Sequence, residues 1–461
     1  GASKSRDLCT LSFEDAVARL GDFRHRGWRL GTDRMREFLR RLGLEDKLGS
    51  PDDSGLVTGD PDPASRTAPP PVRFASPVTR SPQYIHVAGT NGKGSVCAYL
   101  QSILFEQGLR VGATYSPYVY DVRERVQLDR DLISKEDFAR LTERLLEIGE
   151  TMEGTEFGGP TEFEMKTALG FLYWAEKKAD YVALEVGMGG RLDATNVVDP
   201  ACSVIVSIGL DHTEHLGDTL AKIAYEKAGI IKQGRPVVVG DLPAEALEAV
   251  LDVAGQRAAP VLIFGRDVSW ENGTVKTPSA TYEGIVPGIK GAAQGHNVAL
   301  AVAAIEAAGA MRDPSVVPLG ACKARLPGRF EVRQYKGRKF ILDGAHNPQA
   351  ADHLIATLRR EGVDLPVSLI TGRLQGHPVA PFFAALAPAV GKAWVAKIDF
   401  HRALEPIEVI ESAPELASAL PCGSAREALD AAIEGTAAGG TVLVTGSFYI
   451  VGEVGNLISA G

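Results

Sequence analysis

The stretch His86-Val87-Ala88-Gly89-Thr90-Asn91-Gly92-Lys93-Gly94-Ser95-Val96 joins an apolar run to a helical pattern and sets glycines, a lysine and a hydroxyl where a phosphate could sit. Glycines let the backbone turn tightly and bring N–H groups close to phosphate oxygens. A helix N-terminus adds partial positive charge, Lys93 a full charge, and Ser95 an oxygen for Mg2+. The nucleotide-binding candidates here are Gly89, Thr90, Asn91, Gly92, Lys93, Gly94 and Ser95. In common kinase and GTPase loops the lysine is followed at once by Ser or Thr. Gly94 intervenes in this chain, which points to another nucleotide-binding group. The alternative is a glycine-rich turn that binds nothing, and Lys and Ser at a strand-to-helix junction argue against it.

Two later segments carry groups suited to metal-assisted phosphoryl transfer. Glu185, in Leu184-Glu185-Val186-Gly187-Met188-Gly189-Gly190-Arg191-Leu192-Asp193, closes an apolar run and should emerge at a carboxyl strand edge, where open α/β sheets bind ligands. A carboxylate there could hold Mg2+ against phosphates; a salt-bridged acid is the alternative. His212, in Ile208-Gly209-Leu210-Asp211-His212-Thr213, could add a ligand, although Mg2+ prefers oxygen and a hydrogen-bonded structural histidine reads as well. Glu226-Lys227-Ala228-Gly229-Ile230-Ile231-Lys232, taken alone, reads as a solvated helix face.

An α/β rhythm must position these groups. Apolar runs at Tyr84–Ala88, Tyr181–Val186, Ser203–Ile208 and Pro236–Val239 suit buried parallel strands. Between them lie helical patterns at Gly94–Glu106, Thr161–Lys178 and Thr219–Lys232, and one running to Glu150 from Ser134 as N-cap. Residues 13 to 43 read as two amphipathic helices. Ser50–Pro82, dense in Pro, Asp, Ser and Thr, reads as a mobile loop. After a break near Ala308–Pro314 the rhythm restarts, with strands at Phe340–Asp343, Val367–Thr371, Trp394–Ile398 and Thr441–Thr445 and helices at Pro348–Glu361, Ala380–Ala389 and Ala425–Glu434. The expectation is a nucleotide-binding phosphate-loop domain over 1–310 with a central, mainly parallel sheet, and a smaller α/β domain over 311–461.

The composition bounds the partners. The 461 residues are 45% hydrophobic and 23% charged, enough for two or three packed domains. A net charge of −9 argues against broad nucleic-acid binding. No apolar run reaches the roughly eighteen residues of a membrane span, and Gly1-Ala2-Ser3-Lys4 lacks the apolar core of a secretory signal. The five scattered cysteines fit reduced thiols, with Cys97 and Cys202 as small buried hydrophobes. A cytoplasmic protein is expected.

Together these segments resemble folylpolyglutamate synthase and the bifunctional dihydrofolate synthase of the Mur ligase superfamily. The resemblance rests on HVAGTNGKGSV (86–96), SPYVYDVRERV (116–126), PTEFE (160–164), LEVGMGGRLDATN (184–196), DHTEHLG (211–217), EKAGIIK (226–232), LPGRFEV (326–332), DGAHNP (343–348) and TGSFYIVGE (445–453), with Arg29, Gly31 and Arg34-Met35 near the start. It implies a Mur-ligase-like phosphate-loop domain, a Rossmann-like C-terminal glutamate-ligase domain, and an active site in the cleft between them. It further implies ATP, two Mg2+ ions and a monomer.

The resemblance also assigns residues. Lys93, Glu185, His212 and Lys227 would be catalytic; Ser95, Glu185 and His212 would bind metal, and Lys227 stands where the family has a carbamylated lysine. Asn297, Arg329, Asp343 and His346 would join the phosphate loop around the nucleotide. Ser116, Pro117, Tyr118, Arg125, Thr161, Phe163 and Glu164 would bind the acid substrate. The implied reaction joins L-glutamate to a folate or dihydropteroate carboxylate through an acyl phosphate. Rival readings are a monofunctional member, a related ligase with another acid and amino-acid pair, and a nucleotide-binding module without catalysis. Three departures bear on substrate choice: Tyr118 replaces the family's histidine in Ser-Pro-His, Leu374-Gln375-Gly376-His377-Pro378 replaces a segment with Asp-Lys-Asp and should remove charge near the cleft, and Ser50–Pro82 lengthens the usual join.

Overall fold

The computed structural model describes residues 11–27, 29–48 and 82–460. The Ser50–Pro82 loop lies outside them but for Pro82 itself, as does Cys9. The first unit is built on an eight-stranded sheet in the order β4-β3-β2-β5-β1-β6-β7-β8. Its strands are β1 (Gln83–Ala88), β2 (Val111–Thr114), β3 (Gln127–Leu128), β4 (Asp131–Leu132), β5 (Tyr181–Glu185), β6 (Cys202–Ile205), β7 (Val237–Val239) and β8 (Val261–Ile263). All pairings are parallel except the β2–β3–β4 edge. Strand alternation sorts the two faces. Ile85, Val87 and Ala183 join the core under the helices Lys93–Glu106 and Gln294–Ala307. Tyr84, Val182 and Leu184 join the opposite core, under Lys135–Glu150, Glu162–Glu176 and the N-terminal helices.

Both buried helices, Lys93–Glu106 and Gln294–Ala307, are apolar around nearly their whole circumference, which is what a helix enclosed on all sides requires. The caps follow the sequence: Ser134 accepts from the Asp137 N–H and Thr161 from the Glu164 N–H. A small antiparallel sheet of β9 (Ser269–Glu271), β10 (Thr274–Lys276) and β11 (Thr281–Tyr282) was not foreseen; its strands are two or three residues long and too short for period-2 patterning to register.

The second unit carries a six-stranded sheet in the order β12-β13-β17-β14-β15-β16. Its strands are β12 (Glu331–Tyr335), β13 (Arg338–Leu342), β14 (Val367–Thr371), β15 (Val390–Ala396), β16 (Leu420–Cys422) and β17 (Thr441–Thr445). Only β12 runs antiparallel. The helix Val317–Lys323, beyond the expected boundary at 311, packs on the first unit: Ser102 Oγ donates to the Gly320 carbonyl at 2.7 Å. Among the described residues, no helix is long and apolar enough to cross a membrane. Cys97, Cys202 and Cys422 are buried free thiols, and Cys322 is an exposed one.

Candidate active site

The central strand β1 delivers the phosphate loop. Its backbone is fixed by neighbours: Thr90 N–H donates to the Ser207 carbonyl at 2.8 Å and Asn91 N–H to Ser207 Oγ at 2.9 Å. Gly92 takes φ +84°, and a Cβ there would lie 2.9 Å from Val206 Cγ1 and 3.0 Å from Asn297 Oδ1. Both the conformation and the space therefore demand glycine. Lys93 Nζ donates back to the carbonyls of Gly89 at 3.0 Å and Thr90 at 3.4 Å. No side chain among the described residues caps the Lys93–Glu106 helix, so its first-turn N–H groups and dipole are offered to an anion.

Gly94, the residue that breaks the common pattern, faces the strand-end carboxylate. A Cβ on it would stand at ordinary contact distance, 3.7 Å, from both carboxylate oxygens of Glu185 and 3.3 Å from Leu326 Cδ2. Glu185, the last residue of β5, is buried, and its Oε2 accepts from the Ser116 N–H at 2.7 Å. Burial raises its pKa, opposed by the charges of Lys93, Arg329 and Arg125 and by the Ser116 hydrogen bond. Ser95 is buried nearby, within 3.4 Å of Gln294 Nε2.

Lys227 is buried rather than solvated, and its Nζ donates to the same Gly89 carbonyl at 3.0 Å. Burial, with Lys93 adding repulsion, pushes its pKa down to about 7. Its helix, Leu220–Ala228, is pressed against the β5 loop so closely that a Cβ on Gly190 would meet the Lys227 carbonyl at 2.8 Å. His212 has left-handed backbone (φ 50°), and burial pushes its pKa to about 4, leaving a neutral imidazole. A neutral ring is the form that binds a metal.

The second unit closes over this group. Asp343 follows β13 and accepts from the N–H groups of Phe330 and Ala345, each at 2.9 Å. Burial raises its pKa against the opposing charge of Arg329, whose guanidinium lies 4.6 Å over the Phe448 ring. His346 Nδ1 lies 2.8 Å from the Gly344 carbonyl. Asn297 Nδ2 donates to Gln294 Oε1 at 3.3 Å. Two side chains absent from the sequence-based set tie the units together at the phosphate loop: Asn347 Nδ2 donates to Asn91 Oδ1 at 3.1 Å, and Asn91 Nδ2 donates to Gln349 Oε1 at 2.9 Å.

The acid-substrate candidates fall around two pockets. One joins Ser116, Pro117 and Glu185 of the first unit to Arg329 and Phe448 of the second. The other is lined by Thr161, Phe163, Gly187, Met188 and Arg29. Arg125 lies 5.0 Å over the Phe163 ring, and Lys166 lies 5.3 Å over the Tyr118 ring. Lys166 was missed; it is part-buried and paired with Glu162 at 2.6 Å, and desolvation lowers its pKa to about 8. Thr161 and Glu164 both line the second pocket and are also paired to each other. Glu164 Oε2 accepts from Thr161 N–H at 2.8 Å and from Arg34 Nε at 2.7 Å, closing a capping box. That T-x-x-E signature is legible in the sequence.

The Leu374–Pro378 segment, which carries no Asp, Glu, Lys or Arg of its own, is flanked by a buried cation. Just before it, Arg373 is fully buried, and its guanidinium donates to the carbonyls of Gly446, His346 and Pro378 at 2.7 to 2.9 Å. His377 itself faces Asp211 at 3.5 Å.

Known proteins share this fold. Residues 87–304 match the Mur ligase middle domain, and residues 328–448 match the Mur ligase glutamate ligase domain. The dihydrofolate synthase/folylpolyglutamate synthase of Bacillus subtilis is 35% identical over 383 residues, 80% of this chain and 89% of the relative. Escherichia coli FolC in complex with DHPP and ADP superposes with a TM-score of 0.82 at 28% identity, covering 97% of this chain and 98% of that one. A bifunctional folylpolyglutamate synthase/dihydrofolate synthase with Mn, AMPPNP and L-glutamate bound gives a TM-score of 0.80 at 28% identity, over 98% of this chain and all of that one.

Proposed function

Since the chain belongs to the Mur ligase family, and within it to the folylpolyglutamate/dihydrofolate synthases, we propose that it couples L-glutamate to the carboxylates of both dihydropteroate and a folate, splitting ATP to ADP and phosphate. The protein is an ATP-dependent ligase that forms amide bonds. One observation carries the substrate-level reading: Lys93 and Lys227 converge on the Gly89 carbonyl, while Glu185 stands both against that loop and in the wall of the Ser116 pocket.

The chemistry follows from charge. A carboxylate resists an amine nucleophile because its own negative charge opposes attack. Transfer of a phosphoryl group to one oxygen removes that obstacle and creates a leaving group. Lys93 and the first-turn N–H groups are suited to the charge gathering on phosphate oxygens, and Arg329 approaches from the second unit. The buried carboxylate of Glu185, the Ser95 hydroxyl and the neutral imidazole of His212 make a donor set that fits divalent cations; such ions would neutralise phosphate charge and orient the transfer. We place one ion at Ser95 and Glu185 and a second at His212. With its pKa near 7, buried Lys227 offers a free amine that can take up CO2, and the resulting carbamate would supply oxygen ligands beside Lys93.

Closure of the second unit, through Asn347 and Gln349 on Asn91, would keep water from the acyl phosphate until the glutamate amine arrives. Arg125 and Lys166 over their aromatic partners suit a flat, anionic acid. The same proposal takes the protein as a cytoplasmic monomer, which fits its unpaired thiols and is checked by light scattering. Purified protein is to be given ATP, Mg2+ and glutamate with dihydropteroate, with tetrahydrofolate, and with neither. Glutamylated product from both acids supports the reading, one alone makes the enzyme monofunctional, and ATP binding with no ADP formed in any mixture refutes ligation.

A further inference from the structure

Asp211 of the first unit faces two histidines of the second. Asp211 Oδ1 lies 3.5 Å from His377 Nδ1, and Asp211 Oδ2 lies 3.9 Å from His346 Nε2. One ligand atom from each of the three residues lies within 4.8 Å of the others. The separations from Asp211 exceed normal hydrogen-bond lengths. They are close to the roughly 3.4 Å that separates two ligands held tetrahedrally at about 2.1 Å from a shared ion.

The tautomers point the same way. His346 Nδ1 must donate to the Gly344 carbonyl at 2.8 Å, because a carbonyl offers no proton. The lone pair of a neutral ring then resides on Nε2, the atom facing the Asp211 carboxylate. A lone pair and a carboxylate in apposition are stable only with a cation or proton between them. An imidazole whose far nitrogen donates to a backbone carbonyl is also the usual posture of a metal ligand. His377 Nδ1, on the other side of the carboxylate, is buried and has no hydrogen-bond partner among the described residues.

The site is built rather than incidental. Both histidine loops are pinned by one side chain, since Arg373 Nη2 donates to the carbonyls of His346 and of Pro378, the neighbour of His377. Arg373 Nη1 fixes the group to the Gly446 carbonyl. Two imidazoles and one carboxylate favour a borderline divalent ion such as Zn2+, Co2+ or Ni2+ over Mg2+, which wants oxygen.

We propose that Asp211, His346 and His377 form a transition-metal site, separate from the ions that accompany the nucleotide, which clamps the two units across the cleft. The inference does not depend on the ligase reading, because it is tested without nucleotide or acid. Nucleotide-free protein in excess Mg2+ is titrated with Co2+, whose visible d–d bands report nitrogen and oxygen ligation. One saturable Co2+ per chain, displaced by Zn2+, is expected. His377→Ala and His377→Lys should each weaken it by more than about tenfold; the lysine variant keeps a cation beside Asp211 but removes the lone pair. Both variants are first shown to be folded by their melting temperature in metal-free buffer. Zn2+ should raise the melting temperature of the wild type and leave that of His377→Lys unchanged. Absence of a saturable band in the wild type, undiminished affinity in His377→Ala, or an equal Zn2+ shift in both proteins would overturn the proposal.

Discussion

Replacing Gly92 by alanine should disable nucleotide use, and the structure gives the size of the effect. Alanine at φ +84° incurs the left-handed penalty of about 1–2 kcal/mol. Its Cβ would also stand 2.9 Å from Val206 Cγ1 and 3.0 Å from Asn297 Oδ1, inside ordinary contact distance, and such overpacking costs about 1–3 kcal/mol. The sum is about 2–5 kcal/mol. If the loop relieves it by leaving its working conformation, each 1.36 kcal/mol removes a factor of ten, and turnover falls by roughly 30-fold to several thousand-fold. Gly94→Ala is the internal comparison. Gly94 lies at ordinary helical φ, and a Cβ there meets only Leu326 Cδ2 at 3.3 Å and the Glu185 oxygens at 3.7 Å, so a loss under about tenfold is expected. The assay is glutamate-dependent phosphate release, as kcat/KM for ATP, with circular dichroism to confirm folding. A folded Gly92→Ala enzyme within threefold or so of wild type would refute the assignment of the loop.

Removing Arg34 should destabilise the fold, because Glu164 would keep a buried carboxylate without its partner; Arg34→Ala costs about 3–5 kcal/mol by urea unfolding, and Glu164→Gln in the same chain should restore part of it. Lys227 should make stability rise with pH: its folded pKa of about 7 lies below the ordinary 10.5, so the unfolded chain binds more protons between those values. In CO2-free buffer the wild type should gain more stability from pH 7 to pH 9 than Lys227→Met, and parallel melting curves would contradict the burial argument. Lys166→Met should raise KM for the acid about tenfold while leaving kcat near its original value, since the ammonium over Tyr118 would bind ground state and transition state alike; a fall in kcat alone would place Lys166 in the reaction itself.

Local chemistry was legible, and the contacts made by folding were not. The strand–turn–helix around Lys93 and the caps at Ser134 and Thr161 depend on neighbours a few residues apart, so the sequence exposes them. Lys227 and Lys232 read alone as a solvated face, yet both are buried, Lys227 because the Leu220–Ala228 helix is pressed onto the Gly189–Gly190 turn. The Asn91–Asn347 bridge joins residues 256 apart, and no periodicity carries such a pairing. Asp211 and His377 lay in plain view as residues, but their meeting depends on how two sheets dock.

The central claim is that this protein activates a carboxylate by phosphorylation before glutamate attacks it. Dihydropteroate labelled with 18O in its carboxylate tests this directly, with phosphate and pterin product read by mass spectrometry after a reaction with ATP and glutamate. The oxygen that attacks phosphorus leaves with phosphate when the amide forms, so one 18O per released phosphate is expected, alongside one dihydrofolate per ADP. Phosphate free of 18O, or phosphate released equally well without glutamate and acid, would contradict the account.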